Sequence, residues 1–360
     1  MFRRPQARID LAALQHNFEQ VQKIAPHSKI MAVLKANAYG HGMLQVAGQL
    51  KSANAFGVAR IDEALSLRAG GVVKPIVLLE GFFHADELPQ IVASNLQIVV
   101  HQMEQVQALL NAQLDSPVRV WLKIDSGMHR LGLNETEFPQ AWQLLSQSPN
   151  VVQPMRLMSH FACADERNSG ITEQQLTCFN QLTANIDAEV ALANSAAILA
   201  WPKTRTEWVR PGLMLYGVSP VAGQRAAQYG LKPVMTLSSS VIAVRSVRQG
   251  DKVGYGASWC APADTRLAVV AIGYGDGYPR AAGNIASVLI NQQRYPVVGR
   301  VSMDMLTVDI GVADINVGDQ VILWGGDLPV EEIAEQINTI PYELLCNITS
   351  RVQFSYINAG

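Results

Sequence analysis

Charge is scarce in this chain. Only 16% of its 360 residues are Asp, Glu, Lys or Arg, and 28 basic side chains nearly cancel 30 acidic ones, for a formal net charge of -2. That leaves neither the basic stripe that nucleic acid requires nor the polybasic patch that anionic membrane requires. Cysteine is equally sparse. Cys163, Cys178, Cys260 and Cys346 are far apart, with no CxxC pair and no histidine at zinc spacing, which excludes a disulfide scaffold and a zinc module and leaves no metal to expect. They read as reduced thiols of a cytoplasmic protein; Cys163, three residues after His160, is the one that could be taken for a nucleophile, but thiolate activation asks for more than that. No apolar run reaches the ~18 residues of a membrane helix. The opening Met1 to Ala7 carries two arginines but passes straight into Ile9-Asp10-Leu11 without the apolar core of a signal peptide. A small-molecule partner is the remaining expectation.

The apolar fraction of 49% suits a compact protein with long buried strands, and the length exceeds what one core usually holds, so a large domain plus a smaller one is expected. From residue 28 to 217, short β-branched runs alternate with helix-period segments. The strand candidates are Lys29–Leu34, Ala55–Ala59, Pro75–Leu79, Gln97–Val100, Val118–Ile124, Met155–Ser159, Glu189–Ala193 and Glu207–Leu213. Helical patterns lie between them, including Leu44–Ala53, Asp62–Ala69, Met103–Leu114 and Thr172–Ile186, the last with Thr172 as N-cap. Eight such units make a (β/α)8 barrel of the TIM type. After about residue 230 the texture becomes strand alternation with frequent turns: Val234–Ser240, Val241–Val247, Lys252–Gly254, Arg266–Ile272, Ser287–Ile290, Tyr295–Val298, Met305–Asp309 and Gln320–Leu323, with a helical pattern only around Pro329–Ile340. The expected division is 1–229 for the barrel and 230–360 for a mostly β domain, with residues 1–10 free to pack as a strand on the latter.

A barrel's active site lies at the carboxyl ends of its strands. There the sequence places Lys35, Arg130, His160, Asn194-Ser195 and Arg210-Pro211-Gly212. Taken singly, each has a bland reading as a solvated loop residue or a hydrogen-bonded histidine. Lys35 ends an apolar first strand, where desolvation lowers a lysine pKa and fits the amine for a Schiff base and then for general-base work. Gly40 and Gly42 allow a tight turn after it. Gly212, Leu213 and Ser195, after the last strand, form either a phosphate cradle or a structural glycine turn.

The segment Lys35-Ala36-Asn37-Ala38-Tyr39-Gly40-His41-Gly42 closely resembles the pyridoxal-phosphate lysine motif of bacterial alanine racemases, enzymes of fold type III. The resemblance runs in order through Lys123 to Gly132, Met158-Ser159-His160-Phe161, Ala193 to Ala197, Arg210-Pro211-Gly212, Gly254-Tyr255-Gly256, Gly273 to Arg280 and Gly299 to Asp304. It implies a pyridoxal 5'-phosphate enzyme interconverting L- and D-alanine, with Lys35 and Tyr255 as bases on opposite faces of the substrate. A single base returning the proton to its own side would regenerate the starting enantiomer. It also implies a homodimer in which Tyr255 comes from the second subunit. Arg210 would face the pyridine nitrogen and keep it neutral, with His160 bonded to Arg210 and to the tyrosine base. Tyr39, Asn194, Ser195, Gly212, Leu213 and Tyr356 would hold the cofactor, chiefly its phosphate, and Arg130 its hydroxyl and the substrate carboxylate. Met303, through its backbone, and Asp304 would serve the substrate side; Tyr274, Tyr356 and Asp165 would line a narrow mouth, with Arg280 further out. Lys123 stands where family members carry an N6-carboxylysine, as against a plain strand lysine paired with Asp125.

Two departures from the family pattern stand out: Arg351-Val352-Gln353-Phe354 replaces Arg-Val-Pro-Arg, and Ser302 replaces a cysteine. The same resemblance admits a racemase of broader range, such as for serine. A decarboxylase of this architecture would need a late catalytic cysteine and a carboxylate at the pyridine nitrogen, and a cofactor carrier would lack residues 230 to 360. Cell-wall synthesis and D-alanine breakdown would use the same site.

Overall fold

A computed structural model describes residues 4–221 and 223–359; Met1 to Arg3, the start of the segment read for a signal, lie outside them. The chain opens with β1 (Gln6–Asp10), and Asp10 then caps the helix Leu11–Ile24, its Oδ1 accepting from the amides of Ala12 and Ala13 at 3.0 and 3.1 Å. Eight parallel strands follow and close into a barrel: β2 (Lys29–Val33), β3 (Ala55–Val58), β4 (Ile76–Leu78), β5 (Leu96–Val100), β6 (Val118–Lys123), β7 (Val151–Met158), β8 (Val190–Ala191) and β9 (Trp208–Val209). Each contributes one inward side chain to a dry layer made of Met31, Ala55, Val77, Val99, Trp121, Met158, Ala191 and Trp208. The barrel is therefore a packed core rather than a pore.

Beneath that layer, toward the amino ends of the strands, the Arg156 guanidinium lies between two indoles, 5.0 Å from Trp121 and 4.9 Å from Trp208. Glu189 accepts from Arg156 Nε at 2.7 Å, from Trp208 Nε1 at 2.9 Å and from Lys29. Burial pushes the Glu189 carboxyl up, but the bonds from Lys29 and Trp208 and the charge of Arg156 outweigh it and bring it down to about 2. A carboxylate depressed in the folded state stabilises above its unfolded value of about 4.3 and loses that contribution as pH falls through the folded one. Glu189→Gln is thus expected to be less stable than wild type at neutral pH and to converge on it near pH 2, read by urea unfolding across the acid range; a constant gap would refute this account.

The second domain is built on β10 (Met235–Val247), followed by β11 (Lys252–Val253), β12 (Trp259–Cys260), β13 (Thr265–Val270), β14 (Ser287–Ile290), β15 (Gln293–Val298), β16 (Leu306–Asp309), β17 (Gln320–Trp324) and β18 (Gln353–Ile357). The large sheet runs β13-β16-β15-β14-β17-β10-β1-β18, and a further β10–β13 pairing closes it on itself. β11 and β12 form a separate ribbon. The sheet is antiparallel except at β1–β18, which are parallel. Gln353, in place of the family's proline, donates its amide to Pro5 O at 2.9 Å, a bond proline cannot make.

Several expectations need correction. Val234–Ser240 and Val241–Val247 are a single strand, with a register shift between Val241 and Ala243 that let it read as two. The eighth barrel strand is only Trp208–Val209, because Arg210 to Gly212 peel away to line the site. Gly170, at φ +70°, caps the helix Ile171–Thr183 in place of Thr172, whose hydroxyl is buried without a partner. The helix expected over Pro329–Ile340 is shorter, Val330–Gln336, with Asn338 at φ +56° after its end, and a second helix, Pro341–Cys346, follows beyond the expected range. Among the described residues no helix is long and apolar enough to cross a membrane.

Candidate active site

The carboxyl ends of the barrel strands surround a cavity of about 480 Å³. Lys35, at the end of β2, lines it with Tyr39, Lys123, Arg130, His160, Asn194, Ser195, Arg210, Gly212 and Leu213. Ten sequence-derived candidates thus meet in one space. Tyr255, Tyr274, Met303, Asp304 and Tyr356 do not line it.

The turn that follows Lys35 is unusual. Ala36, Asn37, Ala38 and Tyr39 all take left-handed conformations, with φ between 52° and 56°, at a cost of roughly 1–2 kcal/mol per residue. Neighbours hold it there. Glu63, from the helix Ile61–Ala69, accepts from Ala36 N and Ala59 N at 2.7 Å each. Asn37 Oδ1 accepts from Met43 N at 2.9 Å, and buried His41 donates Nδ1–H to Tyr39 O at 2.8 Å. Gly40 has φ +77°, and a Cβ there would come within 2.2 Å of Leu345 O, so the turn admits no side chain at that point.

Electrostatics decide what the cavity can hold. Four cations, Lys35, Lys123, Arg130 and Arg210, line it against one carboxylate, Glu80. Among the described residues the first three have no hydrogen-bond or ion-pair partner for their side chains. Burial, and then Arg130, lower the Lys35 pKa below that of a free ammonium. Burial, then Arg210 and Arg130, bring Lys123 down to about 8. Arg210, fully desolvated and lowered to about 10, stays charged at neutral pH; it donates to the carbonyls of Ser159 at 2.7 Å, Leu192 at 3.3 Å and Ala191. Its Nη2 also lies 3.3 Å from His160 Nδ1. Since a guanidinium only donates, Nδ1 must accept and the imidazole is neutral with its proton on Nε2; burial and Arg210 hold the His160 pKa well below its ordinary value, in agreement.

Opposite Arg130 the cavity ends in small groups and hydroxyls. Ser195 Oγ accepts from Gly212 N at 2.8 Å and from Met214 N at 3.3 Å, leaving its own proton to donate to a ligand. Asn194 caps the short helix Ser195–Ala200. A Cβ on Gly212 would fall 2.5 Å from Tyr39 Oη, so only glycine admits that hydroxyl. The tyrosine placed here beside Tyr39 is Tyr342, ring centroids 5.7 Å apart, and not Tyr356. Tyr356 lies in β18 with its hydroxyl against Gly42, behind the cavity wall. Motif order favoured the tyrosine after Arg351, whereas the fold brings in the one after Pro341; its nearness to the helix start was the available signal. Glu63 and Glu80 were also missed, having no pattern of their own.

The candidates absent from the cavity gather elsewhere. Tyr255, 70% exposed, sits on a turn against Gly299 and Arg300; Tyr274 and Met303, 42% and 51% exposed, adjoin through Gly275 N donating to Met303 O at 2.8 Å. Met305 and Ile285 are exposed as well. The Asp304 carboxylate is not turned to a ligand but accepts from Arg351 Nη2 at 2.5 Å.

This geometry meets its relatives at full length. The family described as "Alanine racemase, N-terminal domain" matches residues 9–220, and "Alanine racemase, C-terminal domain" matches 234–356. The chain belongs to the alanine racemase family. It is 56% identical over 349 residues to a protein of Vibrio vulnificus named alanine racemase, covering 97% of this chain and 98% of that one. A Vibrio cholerae protein of the same name is 56% identical over 355 residues, with 98% of each covered. Among solved structures, the biosynthetic alanine racemase of Pseudomonas aeruginosa superposes with a TM-score of 0.96 at 44% identity, over 99% of this chain and 100% of that one. One from Bartonella henselae, solved with covalently bound pyridoxal phosphate, does so with a TM-score of 0.88 at 30% identity, over 98% and 99%. Family membership makes this chain an amino-acid racemase, an isomerase.

Proposed function

We propose that this chain interconverts L- and D-alanine with pyridoxal 5'-phosphate, as a homodimer in which each site draws on both subunits. The observation that carries the reading is a desolvated, unpartnered Lys35 amine in a cation-lined cavity, while Tyr255, the other base of the motifs, stands exposed outside that cavity on the same chain.

The cavity fits the cofactor. Lys35 Nζ, without a partner, would serve for covalent attachment; Ser195, Gly212, Leu213, Tyr39 and Tyr342 supply neutral, hydroxyl-rich groups suited to phosphate; Arg210 adds a fixed charge to the same lining. Bound there, pyridoxal phosphate would supply the electron sink that makes the substrate's α-C–H bond acidic. Everything else is the protein's work. Lys35, whose desolvation favours the neutral amine over the ammonium, takes or returns the α-proton on one face. Tyr255 of the partner subunit does the reverse on the other, so the configuration inverts, and the proton gained by one base and lost by the other is exchanged through solvent before the next turnover. Arg130 holds the substrate carboxylate. Arg210, pinned by three carbonyls, cannot give up its proton and so restrains the sink, which disfavours transamination. The test is direct: purified protein with the cofactor should show an absorbance band near the visible edge that borohydride abolishes, and should racemise either alanine enantiomer. A band without racemisation would defeat the reading.

Lys123 fits a carboxylated amine. At a pKa of about 8 roughly a tenth of it is unprotonated at pH 7, and addition of CO2 with loss of one proton would give the anion that the surplus of cations lacks. Intact mass in bicarbonate should show one added CO2, lost on acidification and absent in Lys123→Arg; an unmodified mass in saturating bicarbonate would rule it out.

A further inference from the structure

We infer that Arg351 is a positioning residue, which clamps the Met303–Asp304 tip to the Tyr274 turn so that the Met303 amide is held ready for the substrate carboxylate. The inference rests on the reading above of a site shared between two subunits, with the Met303 backbone and Asp304 on the substrate side as the resemblance implies.

Three segments distant in sequence form one block here. The tip is a tight turn closed by Ser302 N donating to Met305 O at 2.9 Å, and the Met303 N–H has no partner among the described residues. Tyr274 N donates to Ser302 O at 3.0 Å and Gly275 N to Met303 O at 2.8 Å, so the two turns share backbone. A Cβ on Gly275 would lie 2.6 Å from Arg351 Nη1 and 3.0 Å from Met303 O, so a side chain there would push the guanidinium aside and crowd the tip. The third segment brings Thr349, whose Oγ1 donates to Gly275 O at 3.0 Å, and Arg351.

The Arg351 side chain reaches both turns. Its Nε lies 3.2 Å from Asp276 Oδ1, and its Nη2 donates to Asp304 Oδ1. The two carboxylates differ in freedom. Asp276 is buried, its other oxygen accepting from Gly273 N at 3.0 Å, whereas Asp304 is exposed at the tip. Arg351 therefore ties a buried anchor to an exposed carboxylate. An exposed pair of this kind adds little to stability, which leaves orientation as what the contact supplies: a tip free to turn would lose the direction of its unpaired amide.

The effect should fall on substrate capture rather than on the protein's integrity. Arg351→Met holoenzyme should show a KM for alanine raised about tenfold in both directions with kcat within about threefold of wild type. Arg351→Lys, which can reach one carboxylate but not fork between two, should lie between them. Asp304→Asn should reproduce the KM rise alone and add little in the Arg351→Met background, because both remove the same contact. An unchanged KM in Arg351→Met, additive effects in the double variant, or a fall in kcat at constant KM that lysine does not mend would each overturn the inference. Wild type without racemase activity would instead overturn the reading on which it rests.

Discussion

Tyr255→Phe should abolish racemisation yet still let solvent deuterium enter one alanine enantiomer. Phenylalanine keeps the ring and removes only the hydroxyl, so whatever packing the exposed ring makes across the subunit boundary is retained while the proton carrier is lost. Lys35 and its cavity are untouched, because Tyr255 does not line that cavity in its own chain. Proton exchange on the lysine face then continues; delivery to the opposite face falls by roughly a hundred- to ten-thousand-fold, as expected for loss of a general acid or base. Incubating each enantiomer in heavy water and following the α-hydrogen by mass separates the two faces. Equal loss for both enantiomers, or for neither, would reject the assignment of one base to each face.

Mixing Lys35→Ala with Tyr255→Phe should restore activity that neither variant has alone. Lys35 lies in the barrel cavity and Tyr255 on the exposed face of the β domain; if each site joins the one to the other across a dimer, a mixed dimer owns one site with both residues intact. Random exchange makes half the dimers mixed, so about a quarter of wild-type activity returns from a background near zero. Denaturing and refolding the two together, with each refolded alone as control, provides the measurement. No recovery, where size analysis shows that mixed dimers form, would mean that each chain builds its site by itself.

How much of this was legible beforehand follows from the range of the interactions involved. The barrel strands declare themselves because each is a short apolar run between helix-period segments, a pattern written in neighbours two to four residues apart. Lys35, His160 and Arg210 are found for the same reason: they follow such runs, and the barrel topology carries the ends of its strands to one place. The parallel pairing of β1 with β18 is not written that way, since Gln6 and Gln353 become neighbours only when the chain is complete.

By itself, then, the sequence determined the architecture, the lysine and the cluster of cations around it, all of which depend on local period and on the order of elements. Only the tertiary structure decided that Tyr342 and not Tyr356 enters the cavity, that Glu63 holds the left-handed turn after Lys35 from 27 residues away, that Asp304 faces Arg351, and that Tyr255 stands outside the cavity of its own chain. Each of those depends on where a single side chain lies relative to a segment remote in sequence, and no local period constrains that distance.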